Sequence, residues 1–230
     1  MNEQLLADNI AKLLERVRLS AEKSQRRADD ILLLAVSKTR PPEDIRAAHA
    51  CGLCEFGESY LQEALVKIEA LQDLDLVWHF IGPIQSNKTR AIASHFHWVH
   101  SVDRLKIARR LSEQRPAELP PLQICLQVNI SGENSKSGVD PGELAALAEG
   151  VSALPRLQLR GLMAIPEPTD DPASQRQVFA QVRALLEETR EIAPGLDTLS
   201  MGMSSDLEAA VAEGATILRP GTAIFGPRER

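Results

Sequence analysis

Residues 31–40 read Ile-Leu-Leu-Leu-Ala-Val-Ser-Lys-Thr-Arg, an apolar run of six residues followed by a polar turn. A short aliphatic run of this kind is typical of a buried strand in a parallel sheet. An open, doubly wound sheet usually places a Gly-x-Gly-x-x-Gly loop after its first strand. Because Ser37-Lys38-Thr39-Arg40 contains no glycine, we expect a closed barrel instead of an open sheet.

The remainder of the chain repeats this alternation of apolar runs and helical spacing. Eight strands are predicted, at residues 31–36, 53–56, 77–81, 98–101, 122–129, 157–163, 198–200 and 216–219. Helices are expected to begin near Pro42, Glu58, Asn87, Asp103, Pro141, Ala173 and Ser205. Strand–helix alternation implies parallel pairing, and an eight-stranded barrel of this type takes roughly 250 residues. The sequence therefore predicts one α/β domain over residues 1–230, a (β/α)8 TIM-type barrel preceded by an amphipathic helix from residue 2 to about 27.

The bulk composition excludes several classes of protein. The chain has 26 Lys and Arg against 32 Asp and Glu, a net charge of −6, and no long basic run. This gives no electrostatic footprint for nucleic acid. The first 20 residues lack the apolar core of a signal peptide, and the longest apolar run is too short to cross a bilayer. We expect a soluble, cytoplasmic protein that binds no membrane, with Cys51, Cys54 and Cys125 as reduced thiols.

Two loops near the end of the chain have the composition of a phosphate site. Residues 201–206 read Met-Gly-Met-Ser-Ser-Asp and follow the seventh strand, and residues 219–222 read Arg-Pro-Gly-Thr and follow the eighth. In TIM-type barrels a phosphate is commonly bound by these same two loops. We therefore predict phosphate contacts from the following residues: Met201, Gly202, Ser204, Ser205, Gly221 and Thr222. Ordinary helix capping would also account for Ser204 and for a capping box that begins at Ser205.

Lys38 follows the first strand and would lie at the mouth of the barrel. Loss of solvation there favours the neutral amine, which forms an imine with an aldehyde. A phosphate site beside such a lysine suggests pyridoxal 5′-phosphate, the commonest phosphorylated aldehyde cofactor. Arg219 is a candidate partner for the pyridine nitrogen, which it would leave unprotonated because a guanidinium can only donate. A surface lysine and a surface ion-pair arginine are the alternatives.

Other candidate sites are weaker. Residues 132–138 contain Gly, Lys and Ser, but in an order that does not match a nucleotide-binding P-loop. His95, His97 and His100 cluster around the fourth strand, where His95 and His97 would face the same side. No third metal ligand is evident, and we predict no metal. Ser86 is expected to cap the helix that begins near Asn87.

The chain closely resembles the pyridoxal phosphate homeostasis family. The resembling segments run in order along the chain, at residues 35–39, 56–63, 78–88, 100–103, 128–131, 135–138, 161–166, 199–204 and 221–226. The resemblance implies an alanine-racemase-like barrel without the second domain of that enzyme. It also implies that Lys38 is the Schiff-base lysine, that residues 200–205 and 221–222 contact the phosphate, and that Arg219 lies near the ring nitrogen.

The resemblance carries further expectations. Family members are regarded as regulating vitamin B6 and amino-acid pools without an established reaction, so apo enzymes that use the cofactor are expected partners, and a monomer is expected. Lys136 matches a second family lysine and would take part in cofactor handling. Ser59 stands where the family usually has an asparagine near the cofactor, and cannot supply an amide. Ser205 stands where relatives often have aspartate.

Two enzymatic alternatives remain from the sequence. Racemisation needs a second acid–base group on the other face of the ring, and the chain has one tyrosine, Tyr60. A lysine-dependent aldolase acting on a sugar phosphate usually has its lysine on a later strand than Lys38. We therefore predict a binding protein with no catalytic residues, and keep a racemase-like enzyme as the alternative.

Overall fold

A ring of short parallel strands forms the centre of the molecule. The computed structural model describes residues 2–132 and 137–227. The strands are β1 (Leu32–Leu33), β2 (Ala35–Val36), β3 (Glu55–Glu58), β4 (Val77–Phe80), β5 (Trp98–Val102), β6 (Leu122–Val128), β7 (Leu157–Ala164), β8 (Thr198–Ser200) and β9 (Ile217–Leu218). The helices are α1 (Glu3–Lys23), α2 (Pro42–Ala50), α3 (Leu61–Ala70), α4 (Thr89–His95), α5 (Leu105–Gln114), α6 (Leu144–Ser152), α7 (Pro172–Arg190), α8 (Leu207–Ala212) and α9 (Thr222–Phe225).

The first predicted strand closes the barrel. It is interrupted at Leu34, so that β1 pairs with β9 and β2 pairs with β3. The amide of Leu34 donates to the carbonyl of Leu218 at 2.9 Å, which keeps the stretch in line across the interruption. All pairings are parallel, in the order β1-β9-β8-β7-β6-β5-β4-β3-β2. The predicted (β/α)8 barrel is confirmed, with its first strand shared between two neighbours.

The N-terminal helix α1 covers the outside of the barrel where the last elements of the chain lie. Its buried residues Leu6, Ile10, Leu13 and Val17 follow helical spacing and form one face. This face packs against α8 and α9. The helix ends at Lys23, earlier than predicted, and Gln25 has a positive φ of 55°. Within the described residues, no helix is long and apolar enough to cross a bilayer.

Most predicted helix starts are confirmed, whereas one start and two predicted serine caps are wrong. Asp140 caps its turn as expected, because its carboxylate accepts from the amide of Gly142 at 2.8 Å. The helix expected near Glu58 begins at Leu61, since β3 runs on through the fully buried Glu58. The other two corrections concern serine caps. Lys88, and not Ser86, precedes α4, and the capping box at Ser205 does not form.

Candidate functional site

A cavity of about 500 Å³ opens at the carboxyl ends of the strands. The predicted site residues that line it are Lys38, Ser59, Ser204, Ser205, Arg219, Gly221 and Thr222. They come from the loops after β2, β3, β8 and β9, which are far apart in the chain. A larger cavity of about 700 Å³ lies outside the barrel between α1, α7 and α8. Because Lys38 and Arg219 face the smaller cavity, that cavity is the candidate site.

Lys38 lies half-buried in a tight turn directly after β2. The amide of Arg40 donates to the carbonyl of Ser37 at 3.0 Å and closes the turn. Thr39 has a φ of +67°, a left-handed conformation that a β-branched residue rarely adopts. The amide of Thr39 donates to Oε1 of Glu63 at 2.5 Å. The turn that carries Lys38 is therefore held by contacts on both sides, with the unusual backbone conformation at the next residue, Thr39.

A buried ion cluster beneath this turn holds it in place. Lys67 on α3 is only 2% exposed, and its Nζ donates to the carbonyl of Ser37 at 2.8 Å and to Oε1 of Glu58 at 2.7 Å. It also donates to the carboxylate of Glu63. The hydroxyl of Ser37 donates to the same Oε1 of Glu58 at 2.6 Å. Burial raises the pKa of the Glu58 carboxyl, and Lys67 and Ser37 oppose that rise.

The loops after β8 and β9 meet at the cavity, and the loop after β9 lies beside β2, where the amide of Val36 donates to the carbonyl of Pro220 at 2.9 Å. The amide of Arg219 donates to the carbonyl of Gly202 at 2.8 Å, and the amide of Ala223 donates to the hydroxyl of Ser204 at 3.1 Å. The carboxylate of Asp206 accepts from the amide of Met203 at 2.5 Å and fixes the first of these loops. This contact replaces the capping box expected at Ser205.

Two predicted phosphate residues lie behind the cavity wall. Met201 is fully buried. Its amide donates to the carbonyl of Ile217 at 3.1 Å, which ties its backbone to the neighbouring strand. Gly202 is also buried, and Met203 lines the cavity in its place. The sequence identified the loop and the strand bounds, but Met201 still bonds to the neighbouring strand, so that Met203 and not Met201 lines the cavity.

Gly202 offers a test of how tightly this loop is packed. It has a φ of +90°, and a Cβ there would lie 2.5 Å from the Cβ of Ala210 and 2.9 Å from Leu218. Gly52 has a similar φ of +93° but nothing within 4 Å of the same position. Both Gly→Ala variants incur the backbone cost, and Gly202→Ala should lose about 1–3 kcal/mol more through overpacking. Urea unfolding of both variants measures the difference, and equal losses would contradict the packing explanation.

Arg219 is buried and bonded to neutral oxygens, so the interpretation as a surface ion-pair residue is wrong. It is 4% exposed, and Nη1 donates to the hydroxyl of Ser200 at 2.8 Å while Nη2 donates to the carbonyl of Ala164 at 2.9 Å. Burial lowers the pKa of the guanidinium to about 10, opposed by the charge of Asp206. Arg219 therefore remains charged at neutral pH and presents a fixed donor group to the cavity.

The three histidines do not form the arrangement that the sequence suggested. His95 is the last residue of α4, where its Nδ1 lies 2.9 Å from the carbonyl of Ala91, so it does not share a strand face with His97. The Nδ1 of His97 accepts from the amide of Trp78 at 3.0 Å. His100 lies inside the barrel. In the described part of the chain no three His, Cys, Asp or Glu side chains are grouped as a metal site.

Other predicted features lie apart from the cavity or outside the described residues. Lys136 and most of the glycine-containing loop fall within residues 133–136, which are not described. Tyr60 is 54% exposed and lines a neighbouring cavity together with Gln85 and Lys88. Burial raises the pKa of the Cys125 thiol to about 12.

Sequence reasoning missed six residues that line the cavity, which are Val36, Arg40, Ile81, Ile165, Met203 and Gly226. Arg40 donates to the carbonyl of Gly226 at 2.6 Å and lies over the ring of Phe225, with 5.9 Å between the guanidinium carbon and the ring centroid. It therefore joins the loops after the first and last strands. Its position two residues after Lys38 was the available signal.

Comparisons with known proteins agree with this fold. The family model described as "Alanine racemase, N-terminal domain" matches residues 9–229. A pyridoxal phosphate homeostasis protein of Pseudomonas aeruginosa is 64% identical over 224 residues, covering 97% of this chain and 96% of that protein. One of Escherichia coli K12 is 50% identical over 227 residues, covering 97% of each.

Solved structures extend the comparison. The structure of PipY from Synechococcus elongatus with pyridoxal phosphate bound is 41% identical, with a TM-score of 0.84, and covers 96% of this chain and 100% of that chain. Alanine racemase of Corynebacterium glutamicum is 17% identical with a TM-score of 0.71, and this chain covers 61% of it, so that likeness shows the fold alone. The chain therefore belongs to the pyridoxal phosphate homeostasis proteins, whose barrel is that of the alanine racemase N-terminal domain.

Proposed function

We propose that this protein is a single barrel domain over residues 1–230 that binds pyridoxal 5′-phosphate as a Schiff base on Lys38. Its role is in the homeostasis of vitamin B6 and amino acids in the cell. The observation that carries the proposal is that Lys38 and Arg219 line one cavity together with the glycine- and hydroxyl-bearing loops. The relative from Synechococcus elongatus with the cofactor bound supports it.

The cavity fits the cofactor in size and in the chemistry of its lining. Its volume of about 500 Å³ lies within the usual range for small-molecule sites. The hydroxyls of Ser204, Ser205 and Thr222, with the backbone at Gly221, would contact the phosphate. Arg219 would face the ring nitrogen. When bound, the cofactor supplies an aldehyde for imine formation and a pyridine ring that can withdraw electrons.

The residues at the cavity have separate roles in this proposal. Lys38 supplies the amine, and the turn held by Lys67 aims it into the cavity. Arg219 can donate but not accept, so beside the ring nitrogen of a bound cofactor it would leave that nitrogen unprotonated and weaken the ring as an electron sink. Ser59 would contact the cofactor through a hydroxyl where many relatives supply an amide.

We infer that the protein acts as a carrier and not as an enzyme. Among the described residues, those lining the cavity include no carboxylate, imidazole, phenol or thiol that could act as the second acid–base group of a racemase. Tyr60 is exposed in the neighbouring cavity. The proposed partners are apo enzymes that use the cofactor. The protein is proposed to act as a monomer in the cytoplasm.

Borohydride reduction tests the covalent link. The holoprotein is expected to show an absorbance band near the visible edge, which reduction removes as the imine becomes a stable amine. Peptide mapping of the reduced protein should then find the cofactor on Lys38. Label confined to another residue, or no label after full loading, would overturn the assignment.

A transfer assay separates the carrier from the enzyme. Holoprotein incubated with a cofactor-free enzyme should restore its activity at the rate at which cofactor leaves Lys38. The same holoprotein incubated with a panel of L-amino acids should produce no D-isomers or keto acids beyond one equivalent. Sustained turnover would instead establish the racemase-like alternative.

A further inference from the structure

A line of hydrogen-bonded polar side chains crosses the interior of the barrel from Arg219 to the opposite mouth. The hydroxyl of Ser200 lies 2.7 Å from Nδ1 of His100, and Nε2 of His100 lies 2.9 Å from Nδ1 of His79. Nε2 of His79 lies 2.6 Å from Oε2 of Glu55. With the bond between Arg219 and Ser200 at 2.8 Å, the contacts join five side chains from five different strands or strand ends.

The line runs from the core to solvent. Ser200, His79 and His100 are fully buried, whereas the side chain of Glu55 is 25% exposed. Glu55 begins β3 and therefore lies at the end of the barrel opposite the candidate site, which is formed by strand carboxyl ends. TIM-type barrels normally fill this space with branched aliphatic side chains, and buried polar groups cost desolvation energy. A polar line in this position is therefore unusual for a core.

The chemistry of its two ends gives the line a direction. A guanidinium can only donate hydrogen bonds, and an ionised carboxylate can only accept them. A neutral imidazole has one donor and one acceptor nitrogen. All four bonds form together when Ser200 donates to His100, His100 donates through Nε2–H to His79, and His79 donates through Nε2–H to Glu55. The reverse order would place the bare Nε2 of His79 against the carboxylate.

The surroundings keep both imidazoles neutral. Burial lowers the pKa of His100 well below its ordinary value, and the nearness of a second imidazole, His79, and of the Arg219 guanidinium lowers it further. Burial also lowers the pKa of His79. The Glu55 carboxylate raises that pKa in opposition, and His97 lowers it further. The ring of Trp98 stacks on His79 with 5.5 Å between centroids and 7° between planes, which fixes the imidazole plane.

We propose that His79 and His100 are positioning residues for the cofactor: with Ser200 they hold the Arg219 guanidinium in one orientation at the cavity and tie it to the Glu55 carboxylate at the far mouth. The inference rests on the proposed function, because it takes Arg219 as the partner of the cofactor ring. Arg219 is also held by Ala164, so two bonds set its plane. These two bonds do not exhaust the donors of a guanidinium.

Nitrogen-15 NMR of the histidine side chains tests the direction of the line. At neutral pH, His79 and His100 should both be neutral with the proton on Nε2, with and without cofactor. A proton on Nδ1 of His100, or a charged His79, would overturn the inference. Because this measurement does not need the cofactor, it stands even if loading on Lys38 fails.

Substitutions test the link to the cofactor. His100→Phe keeps a ring in the core but interrupts the line, and cofactor dissociation should become about tenfold faster, the size of effect expected for losing one buried hydrogen bond that orients Ser200 and Arg219. His100→Gln, whose amide both accepts and donates, should restore most of the loss. If a folded His100→Phe protein still carries label on Lys38 but loses the cofactor at an unchanged rate, the positioning role of the two histidines is refuted. The proposed Schiff base on Lys38 would stand.

Two variants at the far mouth of the barrel, away from the cavity, separate an effect of the line from a general folding defect. Glu55→Gln removes the acceptor-only end, so His79 and His100 should show mixed proton positions and faster cofactor loss. Asp197→Asn also removes one negative charge at the mouth where Glu55 lies. Asp197 pairs with Arg160 and does not bond to the line. This control should leave both the histidine signals and the dissociation rate unchanged. Identical behaviour of the two variants would contradict the proposal.

Discussion

Lys67→Met should lower the free energy of unfolding by about 3–5 kcal/mol, because it leaves a buried carboxylate without its cation. Glu58 is fully buried, and Lys67 and the hydroxyl of Ser37 are its partners. The substitution retains an unbranched apolar side chain of similar length, so the main change is the lost charge. Chemical denaturation at about pH 8, well above the ordinary pKa of a glutamate carboxyl, measures the effect.

A surface pair supplies the matched control. Arg46 and Asp73 form an ion pair with side chains 48% and 61% exposed, so Arg46→Met should cost less than about 1 kcal/mol. The double variant Glu58→Gln with Lys67→Met should recover part of the loss, since the two residues form one network. If the two single variants are equally destabilised, the buried cluster does not have the assigned role.

The loss in Lys67→Met should also depend on pH. Burial already raises the pKa of Glu58 above its ordinary value, and removing Lys67 takes away one of the influences that oppose the rise. A carboxyl with a raised folded-state pKa favours folding when protonated and loses that contribution as pH rises. The destabilisation should therefore be smaller at about pH 5 than at about pH 8. An effect that grows on acidification would contradict this explanation.

Lys38→Ala should weaken cofactor binding by at least about 100-fold, equivalent to about 2.7 kcal/mol. The imine is lost, and the phosphate contacts and Arg219 remain as non-covalent attachments. Absorbance titration gives the affinity, and reduction with peptide mapping shows whether any other lysine becomes labelled once residue 38 has no amine. Retention of the wild-type affinity would show that Lys38 is dispensable for binding.

Lys88→Ala is the control for this variant. Lys88 lines the neighbouring cavity with Ser59 and Tyr60, so it is a second lysine at the same mouth of the barrel. Its removal should change the affinity by less than about threefold, as is usual for a charge outside the binding contacts. A larger loss in Lys88→Ala than in Lys38→Ala would move the attachment point from one lysine to the other.

The strand pattern predicted the barrel because apolar runs and helical spacing are local properties of the sequence. Closure was not predicted in detail, since nothing local shows that Leu34 divides the first strand between two neighbours. The two loops that carry Ser204 and Thr222 were identified by composition. Strand β8 has the predicted bounds, but nothing local showed that the amide of Met201 bonds to Ile217 and that Met203 lines the cavity instead.

The features that tertiary contacts create were not predictable. Lys67 on an amphipathic helix has the pattern of a solvated residue, and only the fold shows it buried against Glu58. His100 was grouped with its sequence neighbours His95 and His97, whereas its partners are His79 and Ser200 on other strands. Hydrogen bonds between strands distant in the chain leave no periodic signal in the sequence.

The divided first strand has a consequence for the order of events at the ribosome. The β2 half can pair with β3 soon after both have been synthesised, but the β1 half must wait for β9, near the other end of the chain. Such long-range pairing carries a high loop-closure cost and is formed late in folding. A chain in which β1 has not yet paired with β9 would have two open sheet edges, able to pair with another chain. We expect the pairing of β9 with β1 to remove both edges and, with them, this route to aggregation.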